Sequence, residues 1–268
     1  GIRDVAVTGV QTCALPISSN ASRTARAIHD AATAMLDKSD LARIAARRQR
    51  LEDNKKRLDA EAERLAVEAG SKSTPTGRWV AYQLGKILRP DSIVLNDGIS
   101  NGGLVHTYAR RSEPGTYFRS GSSTGGWGSG AAFGMKLSKP SQDVVLASGD
   151  GYYSFGVPMA ALWAARHHKS PFLSVIFVNG TYSTGTSELR EAYPNGYAVR
   201  NNDYAGGSFD PPPDFAHYAK AVDGHGEMVT ETSRVGPALE EAIREVRNGR
   251  PAVVAVRVPG PLQQPPRP

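Results

Sequence analysis

Three short polar groups in the sequence each follow an apolar stretch, and they carry the oxygen atoms that a metal ion requires. These groups are Asn96-Asp97, Gly149-Asp150-Gly151 and Asn179-Gly180-Thr181. Mg²⁺ prefers oxygen ligands in octahedral geometry and usually takes only one or two carboxylates from a protein, with phosphate and water completing the shell. Asp150, the side-chain oxygen of Asn179 and a backbone carbonyl near Thr181 could supply such oxygens. Glycines beside Asp150 would let the backbone approach a ligand closely.

The predicted secondary structure places these three groups at one edge of a sheet. Residues 92–96, 143–147 and 172–178 are short apolar runs that we interpret as strands, and predicted helices alternate with them. This alternation is typical of a doubly wound α/β fold, in which a mainly parallel sheet is covered by helices on both faces. Ligands of such sheets bind beyond the carboxyl ends of the strands. The remaining predicted elements are helices over 76–88, 102–111, 158–167, 214–222 and 234–248, a small-residue helix ending near Leu137, a possible strand before 234, and a strand over 252–258.

The chain divides by composition into four parts. Residues 7–17 resemble the in-frame translation of a sequencing-library adapter, so we interpret residues 1–17 as an adapter-derived artefact and expect the protein to extend further upstream. Residues 18–74 are predicted to be a helical remnant and linker to a missing middle domain, with one helix over 22–69. Residues 75–260 form the predicted α/β domain, and the proline-rich tail 261–268 is expected to be disordered.

Charge and composition favour a cytoplasmic protein that binds neither nucleic acid nor membrane. The net charge is +6, but the basic residues between 43 and 64 alternate with acidic ones, which is typical of a solvated helix surface. A nucleic-acid-binding basic helix therefore remains only the weakest alternative. No apolar run approaches the roughly 18 residues of a membrane span. Cys13 is the only cysteine, which excludes an internal disulfide and fits a reducing compartment.

The spacing of the second and third polar groups resembles the signature of thiamine-diphosphate-dependent enzymes. In this chain 27 residues, 152–178, separate Gly149-Asp150-Gly151 from Asn179; the family usually has an Asn-Asn pair there, and Val178 replaces its first member. Further segments resemble the benzoylformate decarboxylase and acetolactate synthase group, and the similarity extends over about residues 75–260. These segments are 93–97, 114–118, 126–134, 161–163 and 179–182.

The resemblance implies cofactors and roles for particular residues. The cofactors would be thiamine diphosphate and Mg²⁺, with the metal bound by Asp150, Asn179 and the carbonyl of Thr181. The residues implied near the diphosphate are Ser100, Gly149, Gly151, Tyr152 and Tyr182, and those implied near the aminopyrimidine are Ser123 and Gly125. Gly125 is a departure, because the family usually has a bulky side chain there, under the cofactor.

The resemblance also implies an activity and an assembly. We expect the thiamine diphosphate domain of a 2-oxo acid decarboxylase or an acetolactate-synthase-like carboligase, acting on a small 2-oxo acid within a homodimer or homotetramer. The family's activating Glu belongs to a separate pyrimidine-binding domain that no segment here resembles, so no catalytic residue is assigned and little activity is expected from this chain alone. A decarboxylase for aromatic 2-oxo acids and a non-catalytic subunit-interaction module remain alternatives. Asp150 acting only as a helix or turn cap is the structural alternative for the central motif.

One long segment between predicted elements has two open interpretations. Residues 183–213 are rich in Gly, Asn, Tyr and Pro, and we predict irregular structure there. The segment is long enough to be a lid on the substrate side, and it could equally be a plain surface loop. Glu188 and Glu191 are candidate substrate-side groups within it.

Overall fold

Six strands form one parallel sheet in the computed structural model, which describes residues 20–121, 124–209 and 211–260. The strands are β1 (Ile93–Asp97), β2 (Tyr117–Arg119), β3 (Val144–Gly149), β4 (Leu173–Val178), β5 (His225–Val229) and β6 (Ala252–Arg257). Their order across the sheet is β2-β1-β3-β4-β6-β5, and each neighbouring pair is parallel. The predicted doubly wound α/β class is therefore confirmed.

Helices cover both faces of this sheet. The helices of the described residues, in chain order, are α1 (Ala21–Met35), α2 (Lys38–Gly70), α3 (Gly77–Ile87), α4 (Gly102–Tyr108), α5 (Gly128–Ser138), α6 (Asp150–Phe155), α7 (Pro158–His167), α8 (Ser183–Ala192), α9 (Tyr197–Asn201), α10 (Phe215–Lys220) and α11 (Val235–Arg247); those that pack on the sheet include α3, α5, α7, α10 and α11. Alternate side chains of β4 enter different cores: Phe177 packs with α3 and α11, whereas Ile176 packs with α5, α7 and α10. This alternation follows from the two-residue repeat of a strand and explains why successive residues of β4 are apolar apart from Ser174.

The strand order creates a crevice at the carboxyl ends of β1 and β3. From β1 the chain passes through α4 to β2 on one side, and through α5 it returns to β3 on the other side. Open parallel sheets bind ligands at such a reversal of strand order. In the registers of these strands, Asp97 lies opposite Ser148 and Gly149 lies opposite Phe177. The ends of β1, β3 and β4 therefore lie side by side.

The N-terminal helical region consists of two helices, so the prediction of a single helix over 22–69 was wrong. The break lies at Leu36, whose backbone is extended, and at Asp37. Asp37 Oδ1 accepts from the Asp40 N–H at 2.9 Å, and Asp40 Oδ2 accepts from the Asp37 N–H at 3.1 Å. These reciprocal bonds form a capping box, which begins a new helix at this point.

Contacts divide the chain into two units, Gly1–Asp59 and Ala60–Pro268. In the first unit, none of the described residues 20–59 is buried. In the second, Ala66 and Ala69 at the end of α2 are buried, and Tyr108 donates to the Ala62 carbonyl at 2.8 Å. None of the helices in the described parts of the chain combines the length and the apolar character needed to cross a membrane.

The region 183–213 contains α8 and α9, so the prediction of irregular structure throughout it was wrong. Thr181 and Ser208 form an isolated antiparallel bridge, and the Tyr182 N–H donates to the Gly207 carbonyl at 2.9 Å. These bonds close the base of an excursion that begins with α8. The sequence of α8 hides the helix because it combines Gly185 with several Ser and Thr residues and has few apolar positions. The short elements β2 and α6 were also absent from the prediction.

The contact between α10 and β5 provides a test of the fold. A Cβ atom added to Gly226 would lie 1.9 Å from the Ala216 carbonyl oxygen, whereas one added to Gly130 on α5 would meet nothing within 4 Å. We expect Gly226→Ala to lower the free energy of unfolding in urea by about 1–3 kcal/mol, because α10 must move away from the sheet. The control Gly130→Ala should leave it unchanged or raise it by up to about 1 kcal/mol. Equal stability of the two variants would contradict the close packing of α10 on β5.

Candidate functional site

A cavity of about 250 Å³ opens at the carboxyl ends of β1, β3 and β4. All the metal-binding and cofactor-binding residues predicted from the sequence line this cavity except Ser123 and Gly125. They are Ser100, Gly149, Asp150, Gly151, Tyr152, Asn179, Thr181 and Tyr182. Ser123 lies outside the described residues. The fold therefore brings residues more than 80 positions apart to one cavity, as a parallel sheet does with the ends of its strands.

Asp150 is the central acidic side chain of this cavity. It is the first residue of α6, directly after β3, and only 2% of its surface is exposed. Its Oδ2 accepts from the N–H groups of Asn179 and Gly180 at 2.8 and 2.7 Å, and its Oδ1 accepts from the Gly151 N–H at 2.9 Å. The carboxylate thus ties the end of β3 to the turn after β4. It is more than a cap of its own helix, because two of its donors belong to that other turn.

Burial and hydrogen bonding act on Asp150 in opposite directions. Burial raises the pKa of Asp150 above its ordinary value, although the N–H groups of Gly180, Gly151 and Asn179 favour the charged form. These donors carry no net charge, so they compensate only part of the cost of burying a carboxylate. A cation bound in the cavity beside the carboxylate would supply the remaining charge compensation.

Asn179 and Thr181 are coupled to each other in the turn after β4. Asn179 Oδ1 accepts from both the Thr181 N–H and the Thr181 hydroxyl, each at 2.9 Å. The Thr181 hydroxyl also lies 3.0 Å from the hydroxyl of Ser183 at the start of α8. The amide oxygen is therefore held in a fixed turn on the cavity wall. Binding of a metal by Asn179 would require this oxygen to share or exchange its present donors.

The two glycines beside Asp150, Gly149 and Gly151, have different structural roles. A Cβ atom at Gly149 would meet nothing within 4 Å, so this part of the cavity wall leaves space for a ligand. A Cβ atom at Gly151 would lie 2.7 Å from the ring of Tyr182, which covers the backbone there. Tyr182 in turn packs against Phe155 and Phe209, with ring centroids 5.9 and 5.0 Å away. The second glycine therefore permits close packing of Tyr182.

The space above Gly125 is filled by another side chain. A Cβ atom at Gly125 would lie 2.3 Å from the ring of Tyr152, so the tyrosine ring occupies the volume that a side chain at position 125 would need. Tyr152 lines the main cavity and also a second, adjoining cavity of about 220 Å³. Trp127 lines only the second of these two cavities. Tyr152, following the acidic motif directly, is thus the large group next to Gly125.

Other residues singled out in the sequence lie elsewhere. Val178, which replaces the first Asn of the expected pair, is fully buried in the core between the sheet and α7. Glu188 and Glu191 are exposed on α8, whose first turn lines the cavity, and their substrate-side role stays a prediction. Asp97 contacts the loop before α5 through two hydrogen bonds. The only sequence features that relate to this contact are an acidic residue at a strand end and glycines downstream.

The ligand atoms available in this cavity limit which metals could bind. Within residues 20–121, 124–209 and 211–260, no three His, Cys, Asp or Glu side chains converge in a group that could hold a metal ion. A metal here would therefore rely on one carboxylate, Asp150, together with neutral amide or carbonyl oxygens. That donor set suits Mg²⁺, which keeps water and takes phosphate oxygens as further ligands. It does not suit a zinc site, where several nitrogen or sulfur ligands are usual.

The fold and the cavity together define an α/β protein with a cavity at the switch point of its parallel sheet, and Asp150, Asn179 and Thr181 line that cavity. Residues 99–256 match the family model described as thiamine pyrophosphate enzyme, C-terminal TPP binding domain. The chain belongs to this family and contains its thiamine-diphosphate-binding domain. The family assignment expected from the sequence is confirmed.

Curated relatives agree with this assignment and are much longer than the matched region. A probable acetolactate synthase of Mycobacterium bovis is 32% identical over 183 residues, which cover 66% of this chain and 30% of that protein. A sulfoacetaldehyde acetyltransferase of Alcaligenes xylosoxydans xylosoxydans is 26% identical over 201 residues, covering 72% of this chain and 32% of the relative. The chain thus spans about a third of the length of these relatives.

A solved structure shows the same fold. The thiamine diphosphate-dependent 4-hydroxybenzoylformate decarboxylase of Rhodococcus jostii RHA1 superimposes with a TM-score of 0.62 at 23% identity. The match covers 72% of this chain and 34% of that one. At this identity the similarity supports the fold alone.

The packing of Tyr152 over Gly125 can be tested by a double-mutant cycle. We expect Gly125→Ala to destabilise the protein because the new methyl group displaces the tyrosine ring, and we expect a smaller loss when Tyr152 is already Ala. The coupling should be about 1–2 kcal/mol in urea unfolding, as for residues in direct contact. Gly134→Ala, where a Cβ atom would meet nothing within 4 Å, is the matched control and should show no coupling to Tyr152. Additive losses for Gly125→Ala and Tyr152→Ala would show that the two residues are not in contact.

Proposed function

We propose that the cavity binds thiamine diphosphate through Mg²⁺, with Asp150, the side-chain oxygen of Asn179 and the carbonyl of Thr181 as the protein ligands. The observation that carries this proposal is the position of Asp150. It is a buried carboxylate on the wall of a cavity, and its hydrogen-bond partners are backbone N–H groups. A magnesium ion would complete its charge compensation, and diphosphate oxygens would complete the coordination of the ion.

The other predicted residues would contact the organic and phosphate parts of the cofactor. Ser100, Gly149 and Gly151 line the main cavity and supply small side chains and backbone groups for the diphosphate. Tyr152 and Tyr182 border the same cavity. By the family resemblance, Ser123 and Gly125 would lie near the aminopyrimidine. When bound, thiamine diphosphate supplies the carbanion-stabilising chemistry, while the protein orients it and excludes water.

The full-length protein is proposed to be a thiamine-diphosphate-dependent lyase or transferase acting on a 2-oxo acid. The acetolactate synthase relative supports a carboligase. A benzoylformate decarboxylase of Pseudomonas aeruginosa, 33% identical over 92 residues that cover 34% of this chain, supports an aromatic 2-oxo acid decarboxylase as the second candidate. The activating Glu is proposed to belong to a pyrimidine-binding domain. We place the enzyme in the cytoplasm, consistent with a sequence that has no cysteine in residues 18–268 and so no disulfide there.

We further propose that the full-length enzyme is a homodimer or homotetramer. Large apolar side chains are exposed on α6, α7 and the turn between them: Phe155, Val157 and Trp163 are 66%, 65% and 59% exposed. Val157 also has a left-handed backbone with φ of 46°, which is unusual for a β-branched residue. Exposed apolar groups on neighbouring elements are typical of a surface that another subunit covers.

Replacement of Asp150 tests the metal site. We expect Asp150→Ala to weaken magnesium-dependent binding of thiamine diphosphate at least about tenfold, because the variant loses the charged ligand of the ion. Calorimetric titration with Mg²⁺, and again with a chelator, measures the effect. Asp143→Asn is the matched control: Asp143 is also buried, but it precedes the amino end of β3 and pairs with Arg247. Unchanged affinity in Asp150→Ala, or equal losses in both variants, would contradict the assignment; no binding by the wild type would favour a non-catalytic interaction module.

Activity of the chain by itself tests the division of labour between domains. We expect the 268-residue chain to bind the cofactor weakly and to release almost no carbon dioxide from benzoylformate or pyruvate. The reason is that the activating carboxyl group would come from the pyrimidine-binding domain. Addition of a complementary pyrimidine-binding domain should restore turnover, and its Glu→Gln variant should not. An appreciable decarboxylation rate from the isolated chain would contradict this proposal.

A further inference from the structure

Asp97 is a second buried carboxylate at the same edge of the sheet, and it contacts a different loop. It is the last residue of β1, and only 3% of its surface is exposed. Its Oδ2 accepts from the Gly126 N–H at 3.1 Å and from the Gly128 N–H at 3.0 Å. A single oxygen atom thus holds two backbone groups of the segment 125–128.

The backbone of this segment is shaped for close contact with Asp97. Gly126 has φ of 89°, a conformation that residues other than glycine rarely adopt. A Cβ atom at Gly128 would lie 2.8 Å from the Cβ atom of Asp97, so a larger residue would push the segment away from the strand. Both glycines are therefore required for the two hydrogen bonds that Asp97 accepts.

The opposite side of the segment contacts the walls of both cavities. Gly125 packs under the Tyr152 ring, and a Cβ atom at Gly126 would lie 2.9 Å from the Gly156 backbone nitrogen after α6. Trp127 of the segment and Asp97 itself both line the second cavity. The two cavities share a wall that includes Asn96, Ile99 and Tyr152. The position of the segment 125–128 therefore determines the shape of the second cavity, which adjoins the proposed diphosphate site.

Asp97 is kept at this position despite an energetic cost. Burial raises the pKa of Asp97, and the N–H groups of Gly128 and Gly126 oppose that rise. Among the described residues, its Oδ1 is buried and has no hydrogen-bond partner. A buried carboxylate with one unsatisfied oxygen is unfavourable for stability. The structural effect of Asp97 that remains is the loop that its Oδ2 holds through Gly126 and Gly128.

We infer that Asp97 is a positioning residue that fixes the segment 125–128 as the wall of the site remote from the diphosphate. The inference rests on the proposed function of the main cavity and adds a residue that acts through the loop and does not touch the metal. It predicts that loss of Asp97 changes binding of the whole cofactor but not binding of its diphosphate part. This difference separates a positioning role from a general effect on folding.

The first test measures the loop without any ligand. Amide hydrogen exchange of the 268-residue chain, followed by NMR, reports on the Gly126 and Gly128 N–H groups directly. We expect Asp97→Ala to accelerate exchange of both amides about tenfold or more, because a hydrogen bond to a charged group is lost. Asp97→Asn retains one acceptor oxygen and should restore slow exchange at least partly. Asp143→Asn, the buried carboxylate at the other edge, should leave these two amides unchanged.

The second test compares thiamine diphosphate with inorganic pyrophosphate, each titrated with Mg²⁺. Asp97→Ala should bind thiamine diphosphate at least about tenfold more weakly, a loss comparable to one charge-assisted hydrogen bond, while magnesium pyrophosphate binds as in the wild type. Asp97→Asn should recover most of the affinity. Equal losses for both ligands, no recovery in Asp97→Asn, or unchanged exchange of Gly126 and Gly128 would overturn the inference. A wild-type chain that binds neither ligand would overturn the proposed function, and the exchange measurement would then decide alone whether Asp97 holds the loop.

Discussion

The interaction on which the site depends is the set of hydrogen bonds between the Asp150 carboxylate and backbone N–H groups. One oxygen accepts from Asn179 and Gly180, which follow β4, and the other accepts from Gly151 in its own helix. Adjacent parallel strands fix the spacing of their backbones, but they do not determine where the chain turns after each strand ends. Asp150 supplies that constraint. The turn carrying Asn179 and Thr181 is thereby placed beside α6, and the start of α8 follows from it.

The general fold was predictable because most of the strands are short, largely apolar runs that alternate with predicted helices. Residues 172–178 and 252–258 are apolar except for Ser174 and Arg257, and such runs, when predicted helices alternate with them, are typical of strands buried on both faces of a parallel sheet. Residues at the ends of those strands could be placed at one edge before any coordinates were known. That reasoning predicted that Asp150 and Asn179 lie close together, and both line the same cavity; Ser100, which also lines it, followed from the family resemblance.

Elements held by distant contacts were not predictable in the same way. The three residues of β2 are too few to show a periodic pattern, and they are a strand only because β1 lies beside them. The helix α8 has a composition that does not favour a helix, and the bridge between Thr181 and Ser208 closes the segment that contains it. The ring of Tyr152 fills the space above Gly125, and no spacing rule relates a side chain on α6 to a loop about 27 residues earlier. In each case the decisive contact is made by a residue remote in sequence.

Asp97 and Asp150 show how similar carboxylates at one sheet edge can acquire different roles. Both follow or end a strand, both are buried, and both accept hydrogen bonds from backbone N–H groups in glycine-containing turns. Asp150 lies on the wall of the main cavity, so a cation can approach it and complete the compensation of its charge. In Asp97, the oxygen without a hydrogen-bond partner, Oδ1, is buried. The other oxygen, Oδ2, lies so close to the segment 125–128 that a Cβ atom at Gly128 would be 2.9 Å from it. Asp97 lines the second cavity in the same way, so the two proposed roles rest on their different partners: the turn that carries Asn179 for Asp150, and the segment 125–128 for Asp97.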